Sequence, residues 1–124
     1  MPRGRGKLKY EDLRPGHGKV ATRDHMARVS GTIALHRGEI LRRLNDEWLD
    51  LSRRDAVAGI RYGVEGMQVG GVRRITVPPQ LGYGKAGAAR AGIPADAVLI
   101  CEFELLELRP VSTARSANPG KKSG

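Results

Sequence analysis

Asp55–Gly84, DAVAGIRYGVEGMQVGGVRRITVPPQLGYG, is the stretch on which the architecture turns. Ala56, Ile60 and Val64 recur at helical spacing, with Val57 beside them on nearly the same face, which predicts a short helix. Gly59, Gly63 and Gly66 each weaken that helix by roughly 1 kcal/mol relative to alanine. Propensity alone does not hold it, so it must pack against a sheet, and the glycines let that sheet come close. Gly70 and Gly71 mark the turn after it. Val72–Val77 reads as a strand, stopped by Pro78 and Pro79, which cannot donate to a ladder. Upstream, Ser52 and Asp55 are candidate helix caps.

Toward the N-terminus, Tyr10–Leu13 reads as a short edge strand, Arg14–Gly18 as a turn cluster, and Lys19–Thr22 as a continuation of that edge. Met26–Val29 and Thr32–Leu35 give two strand signals on either side of Ser30-Gly31. His36–Glu39 reads as a hairpin turn, after which Ile40-Leu41 resumes the strand. On the other side, Ala97–Leu108 reads as a central strand with Phe103, Leu105 and Leu108 in the core, and Pro110 ends it. The fold class is therefore α+β: a strongly twisted antiparallel sheet of about five strands wrapped around one short helix. Three parts follow: a flexible basic arm over 1–9, a single domain over 10–110, and a disordered tail over 111–124 that is rich in Ser, Ala, Gly and Lys.

Composition narrows the chemistry. At 124 residues one core is expected. The net charge of +9 suits acidic partners, nucleic acid included, but no stacking aromatics alternate with the basic residues, which favours a basic surface with basic tails and leaves nucleic acid an open alternative. Cys101 is the only cysteine, which excludes an internal disulfide, and its strand setting makes it a small buried hydrophobe. His17, His25 and His36 are scattered, so neither a metal site nor a cofactor is expected. No apolar run reaches membrane-spanning length, and the basic N-terminus lacks the apolar region of a signal peptide. A cytoplasmic monomer is expected.

GMQVGGVRRITVPPQLGYG and, further on, GIPADAVLICEFELLEL resemble the signature of the FK506-binding class of peptidyl-prolyl isomerases, closely over the last two-thirds of the chain and loosely over the first third. The resemblance implies a folding helper that acts on Xaa–Pro bonds of polypeptides, and a macrolide ligand. It also implies site residues. Tyr83, in Leu81-Gly82-Tyr83-Gly84, matches a pocket tyrosine that donates to a ligand carbonyl. Val57 matches the helix start whose N–H meets such a carbonyl. Ile60 stands where the family has its floor tryptophan. Ile93 and Pro94 match the Ile-Pro pair of the overhanging loop. Cys101 stands where the family has a pocket phenylalanine, and no residue of Val29–Gly31 supplies the family's tyrosine. Leu41 and Arg42 stand where the family has Phe-Asp, so a ring is lost and a charge reversed. A guanidinium cannot accept a hydrogen bond, and the carboxylate's role does not carry over. Trp48, the only indole, is either a half-buried strand residue or a substitute pocket wall.

An Xaa–Pro bond has a small cis/trans preference but a barrier near ~20 kcal/mol, because twisting it breaks resonance. No nucleophile, metal or cofactor is needed. A pocket lowers the barrier by holding the ring on apolar walls, removing water from the carbonyl and offering donors to the twisted state. Two functional classes fit these residues. One is a prolyl isomerase. The other is a catalytically weak or silent binding module on the same fold, with a basic surface for acidic partners.

Overall fold

The computed structural model describes residues 8–53 and 57–111. Five antiparallel strands form one sheet: β1 (Lys9–Arg14), β2 (His25–Leu35), β3 (Ile40–Asp50), β4 (Val72–Val77) and β5 (Leu99–Pro110), in the order β1-β4-β5-β2-β3. The only α-helix among the described residues, α1 (Ala58–Val64), packs on β4.

Strict alternation makes β5 the central strand. Leu99, Cys101, Phe103 and Leu105 are buried on one face, while Ile100, Glu102 and Glu104 between them are partly exposed on the other. The apolar face of β5 and the facing residues Val29, Ile75 and Val77 make the core, which α1 closes through Val64. The helix sits close because two of its residues have no side chain. A Cβ added at Gly59 would lie 2.3 Å from Val77 Cγ1, and one at Gly63 would lie 2.6 Å from Ile75 Cγ2. The glycines are the contact surface itself, as the close-approach reading requires.

Arg73 alternates with Ile75 and Val77 and so points into the core face, where it is only 4% exposed. It is satisfied on every side. Its Nε and Nη2 donate to Asp12 Oδ1 and Oδ2 at 2.7 and 3.3 Å. Its Nη1 donates to the carbonyls of Gly63 and Glu65 at 2.9 and 3.1 Å. Its guanidinium lies 3.8 Å from the Tyr10 ring centroid. Arg73 thus caps the orphan carbonyls at the end of α1 and ties β1 to the same point.

Several sequence expectations are corrected. Lys19–Thr22 does not extend the edge strand. It runs beside the chain leaving α1, with Ala21 N–H donating to the Met67 carbonyl at 2.8 Å and Val20 bridged to Gln68. The two strand signals around Ser30-Gly31 form one continuous strand, because a register shift between Val29 and Gly31 absorbs the irregularity. Val57 is the N-cap of α1 without a side-chain cap bond, and Ser52 turns back onto Asp50, its N–H and Oγ meeting Asp50 Oδ1 at 2.9 and 2.6 Å. Asp55 and Ala56 lie outside the described residues. Lys9, counted with the arm, opens β1, and Val111, counted with the tail, is buried with its N–H on the Asp24 carbonyl. Residues 1–7 and 112–124 lie outside the described residues.

Candidate functional site

A hollow of about 140 Å³ opens between α1, the start of β3 and the loop before β5. Ile33, Leu41, Arg42, Ile60, Tyr83, Ala91, Ile93 and Leu99 line it. Each comes from a different local device. Ile33 stands on β2 opposite Arg42, so both face the same side of the sheet. Between Ile33 and Ala34 the register slips, since Ala34 pairs with Ile40 and leaves Leu41 as an extra residue. That bulge turns the consecutive residues Leu41 and Arg42 toward one hollow, which a regular strand cannot do.

The loop wall is built by backbone bonds. Ala88 N–H donates to the Ile93 carbonyl at 2.8 Å and Ile93 N–H returns to Ala88 at 3.0 Å, closing the single 3-10 turn of Ala89–Ala91 between them. Ile93 is thereby pinned against the core at 5% exposure, while Tyr83 stands at the rim with 39% of its surface open. The Tyr83 hydroxyl makes no hydrogen bond to any described residue, and it is the only ring among the lining side chains. Arg42 Nη2 is paired with Glu47 Oε1 five residues along β3, with the Arg42 side chain largely in water and that of Glu47 half-buried.

Five of the nine residues singled out from sequence therefore meet in one place: Leu41, Arg42, Ile60, Tyr83 and Ile93. The other four do not line it. Val57 sits a turn before Ile60, where its carbonyl accepts the N–H of Ile60 and Arg61. Pro94 faces a separate surface groove with His36, Arg37 and Val98. Cys101 is fully buried between Ile33 and Ile75 on neighbouring strands, and burial pushes its thiol up to about 12. Trp48 is on the solvent face of the sheet, opposite Arg28 and under the Arg109 guanidinium at 5.1 Å, so it is no substitute wall. Sequence reasoning missed Ile33, Ala91 and Leu99. Leu99 is the inward residue two before Cys101, and β5 alternation from the core outward points to it.

The family profile described as FKBP-type peptidyl-prolyl cis-trans isomerase matches residues 21–106, well over half of the chain. The chain belongs to that family. An FK506-binding protein of Neisseria meningitidis is 36% identical over 107 residues, covering 83% of this chain and 97% of the relative. FK506-binding protein 4 of Aspergillus fumigatus is 48% identical over 59 residues, 48% of this chain, and the match spans only 12% of that longer protein. Among solved structures, a peptidyl-prolyl cis-trans isomerase of Pseudomonas syringae superposes with a TM-score of 0.75 at 24% identity, over 82% of this chain and 74% of that one. In this chain the hollow between α1 and the sheet is walled by aliphatic side chains, one phenol and the Arg42 guanidinium.

Among the described residues no cluster of His, Cys, Asp and Glu gathers that could hold a metal, and no helix is long and apolar enough to cross a membrane.

Proposed function

We propose that the chain is a proline-binding module of the FKBP-type family whose isomerase turnover is weak. One observation carries this reading: an apolar hollow open to solvent, with an unpartnered phenol at its rim and no other ring in its wall. Leu41, Ile60, Ile93 and Leu99 form a dry seat for a pyrrolidine ring. The Tyr83 hydroxyl is positioned to donate to a carbonyl of the same segment. Seating the ring strips water from the Xaa–Pro carbonyl, which favours the twisted amide over the planar, charge-separated one.

Turnover is weak because aliphatic walls forgo ring–proline contact. Each missing ring contact is worth about 0.5–1.5 kcal/mol beyond its area. Two or three such losses slow a reaction by one to three powers of ten. A volume of about 140 Å³ suits one prolyl ring, whereas drug-sized ligands fill pockets of about 300–1,000 Å³, so proline-containing polypeptides rather than a macrolide are the ligands.

Cis/trans exchange of blocked Xaa–Pro peptides, followed by NMR with and without the protein, tests this. The expected result is saturable binding with an exchange rate modestly above buffer, raised in the Leu41→Phe/Ile60→Phe double variant. Absence of binding in the wild type overturns the proposal, and so does a rate already at the level of an aromatic-walled relative.

A further inference from the structure

Arg42 lines the same wall that takes the proline ring, directly opposite Ile33. One of its donors is used by Glu47, and its Nε and Nη1 have no partner among the described residues. Tethering by Glu47 limits the wandering of a side chain that is otherwise more than half exposed. Loop residues near the hollow add charge of the same sign. Lys85 stands two residues after Tyr83 and Arg90 one before Ala91, both exposed, and neither has an ion pair among the described residues. Among the described residues the one carboxylate paired with this wall is Glu47, and a ligand anion would compete with it for Arg42.

We infer that Arg42 makes the hollow selective for proline segments whose neighbouring residue carries an anionic side chain, a carboxylate or a phosphate. The inference rests on the proline-binding reading above. With a pyrrolidine ring on Leu41 and Ile60, the adjoining residue is one Cα–Cα step of about 3.8 Å away, within reach of a guanidinium on the same wall. Glu47 takes a single N–H of Nη2, so one of the two fork edges, each of which pairs Nη2 with Nε or with Nη1, stays open to a carboxylate or phosphate. A cationic neighbour meets repulsion there. Because the site is half in water, each effect is modest, up to about 5-fold, so acidic against basic neighbours differ by about 10-fold at low salt.

The test is titration, by NMR, of the full chain with blocked peptides in which the residue before or after proline is Gln, Glu, phosphoserine or Lys, each with a Pro→Ala control. The expected order is Glu or phosphoserine, then Gln, then Lys, with the spread closing in high salt. Preference for Glu alone or phosphoserine alone supports the inference and names the source of the anion. In Arg42→Met the spread falls within 2-fold, and in Glu47→Gln it widens because the internal competitor is gone. Arg42 is exposed and Glu47 is half-buried, and the amide spectrum checks that both variants fold. Equal affinity for all four neighbours overturns the inference while leaving the proline site standing. A preference that persists in Arg42→Met, or in the Pro→Ala controls, also overturns it. Gln–Pro and Gln–Ala peptides binding alike would remove the proline site itself, and this inference with it.

Discussion

Toward β4, helix α1 offers Gly59 and Gly63, and the strand meets them with Val77 and Ile75 at contact distance. Toward β3 the same helix offers Ile60, and the facing residues stop short, leaving about 140 Å³ of open space. The first contact is made of absent side chains that let backbone and branched carbons touch. The second is made of side chains too small to fill the gap. One helix of seven residues thus carries a closed face that holds the fold and an open face that can hold a ligand. The two sides should answer mutation in opposite ways.

Alkali gives the largest expected effect on the closed side. Burial holds the Cys101 thiol neutral, raising it from an ordinary value near 9.0 to about 12. A raised folded value means the stabilisation is complete below pH 9 and lost as pH climbs toward 12. The full shift corresponds to about 4 kcal/mol. Urea unfolding across that window should show the wild type losing more stability than Cys101→Ala. Parallel loss in both would place the thiol in a wetter setting than the core.

Next comes Gly59→Val. Its Cβ would start 2.3 Å from a buried methyl and 3.1 Å from the Leu81 carbonyl oxygen. A loss of about 3 kcal/mol in urea unfolding is expected, with unchanged m-value. Arg73→Met should cost about 2 kcal/mol, because the Gly63 carbonyl loses its buried donor while Asp12, half exposed, is rehydrated. On the open side, Leu41→Phe should shift stability by less than about 1 kcal/mol, since space exists for the ring, while raising the cis/trans exchange rate. A large destabilisation there would show that the hollow is closed in solution.

The closed side was the legible one. Period-two alternation in Leu99–Leu105, the proline pair after Val77 and the glycine spacing in α1 are local signals that report directly on packing, and β4 falls on Val72–Val77 as read. The open side depends on features that sequence periodicity does not carry. The bulge that turns both Leu41 and Arg42 inward is a property of pairing with β2, visible only in the register. Residue type leaves Trp48 two readings, strand residue or pocket wall, and only the pairing of β3 decides between them, placing it opposite Arg28 on the far face of the sheet. Nothing local in Val72–Val77 marks Arg73 for burial, because the helix end and Asp12 that satisfy it are brought to it by the tertiary fold. Family likeness located the overhanging loop and Tyr83, yet Cys101 and Pro94 show that a matched position need not keep a matched surface.

The central claim is that the open face of α1 seats proline against aliphatic walls. It is tested most directly by mapping amide and side-chain shifts of the wild type and Tyr83→Phe while titrating a blocked Gln–Pro peptide. Shifts confined to Leu41, Ile60, Tyr83 and Ile93 are expected, with affinity reduced about 3- to 10-fold by loss of the hydroxyl. Shifts centred elsewhere, or affinity indifferent to the Tyr83 hydroxyl, would contradict it.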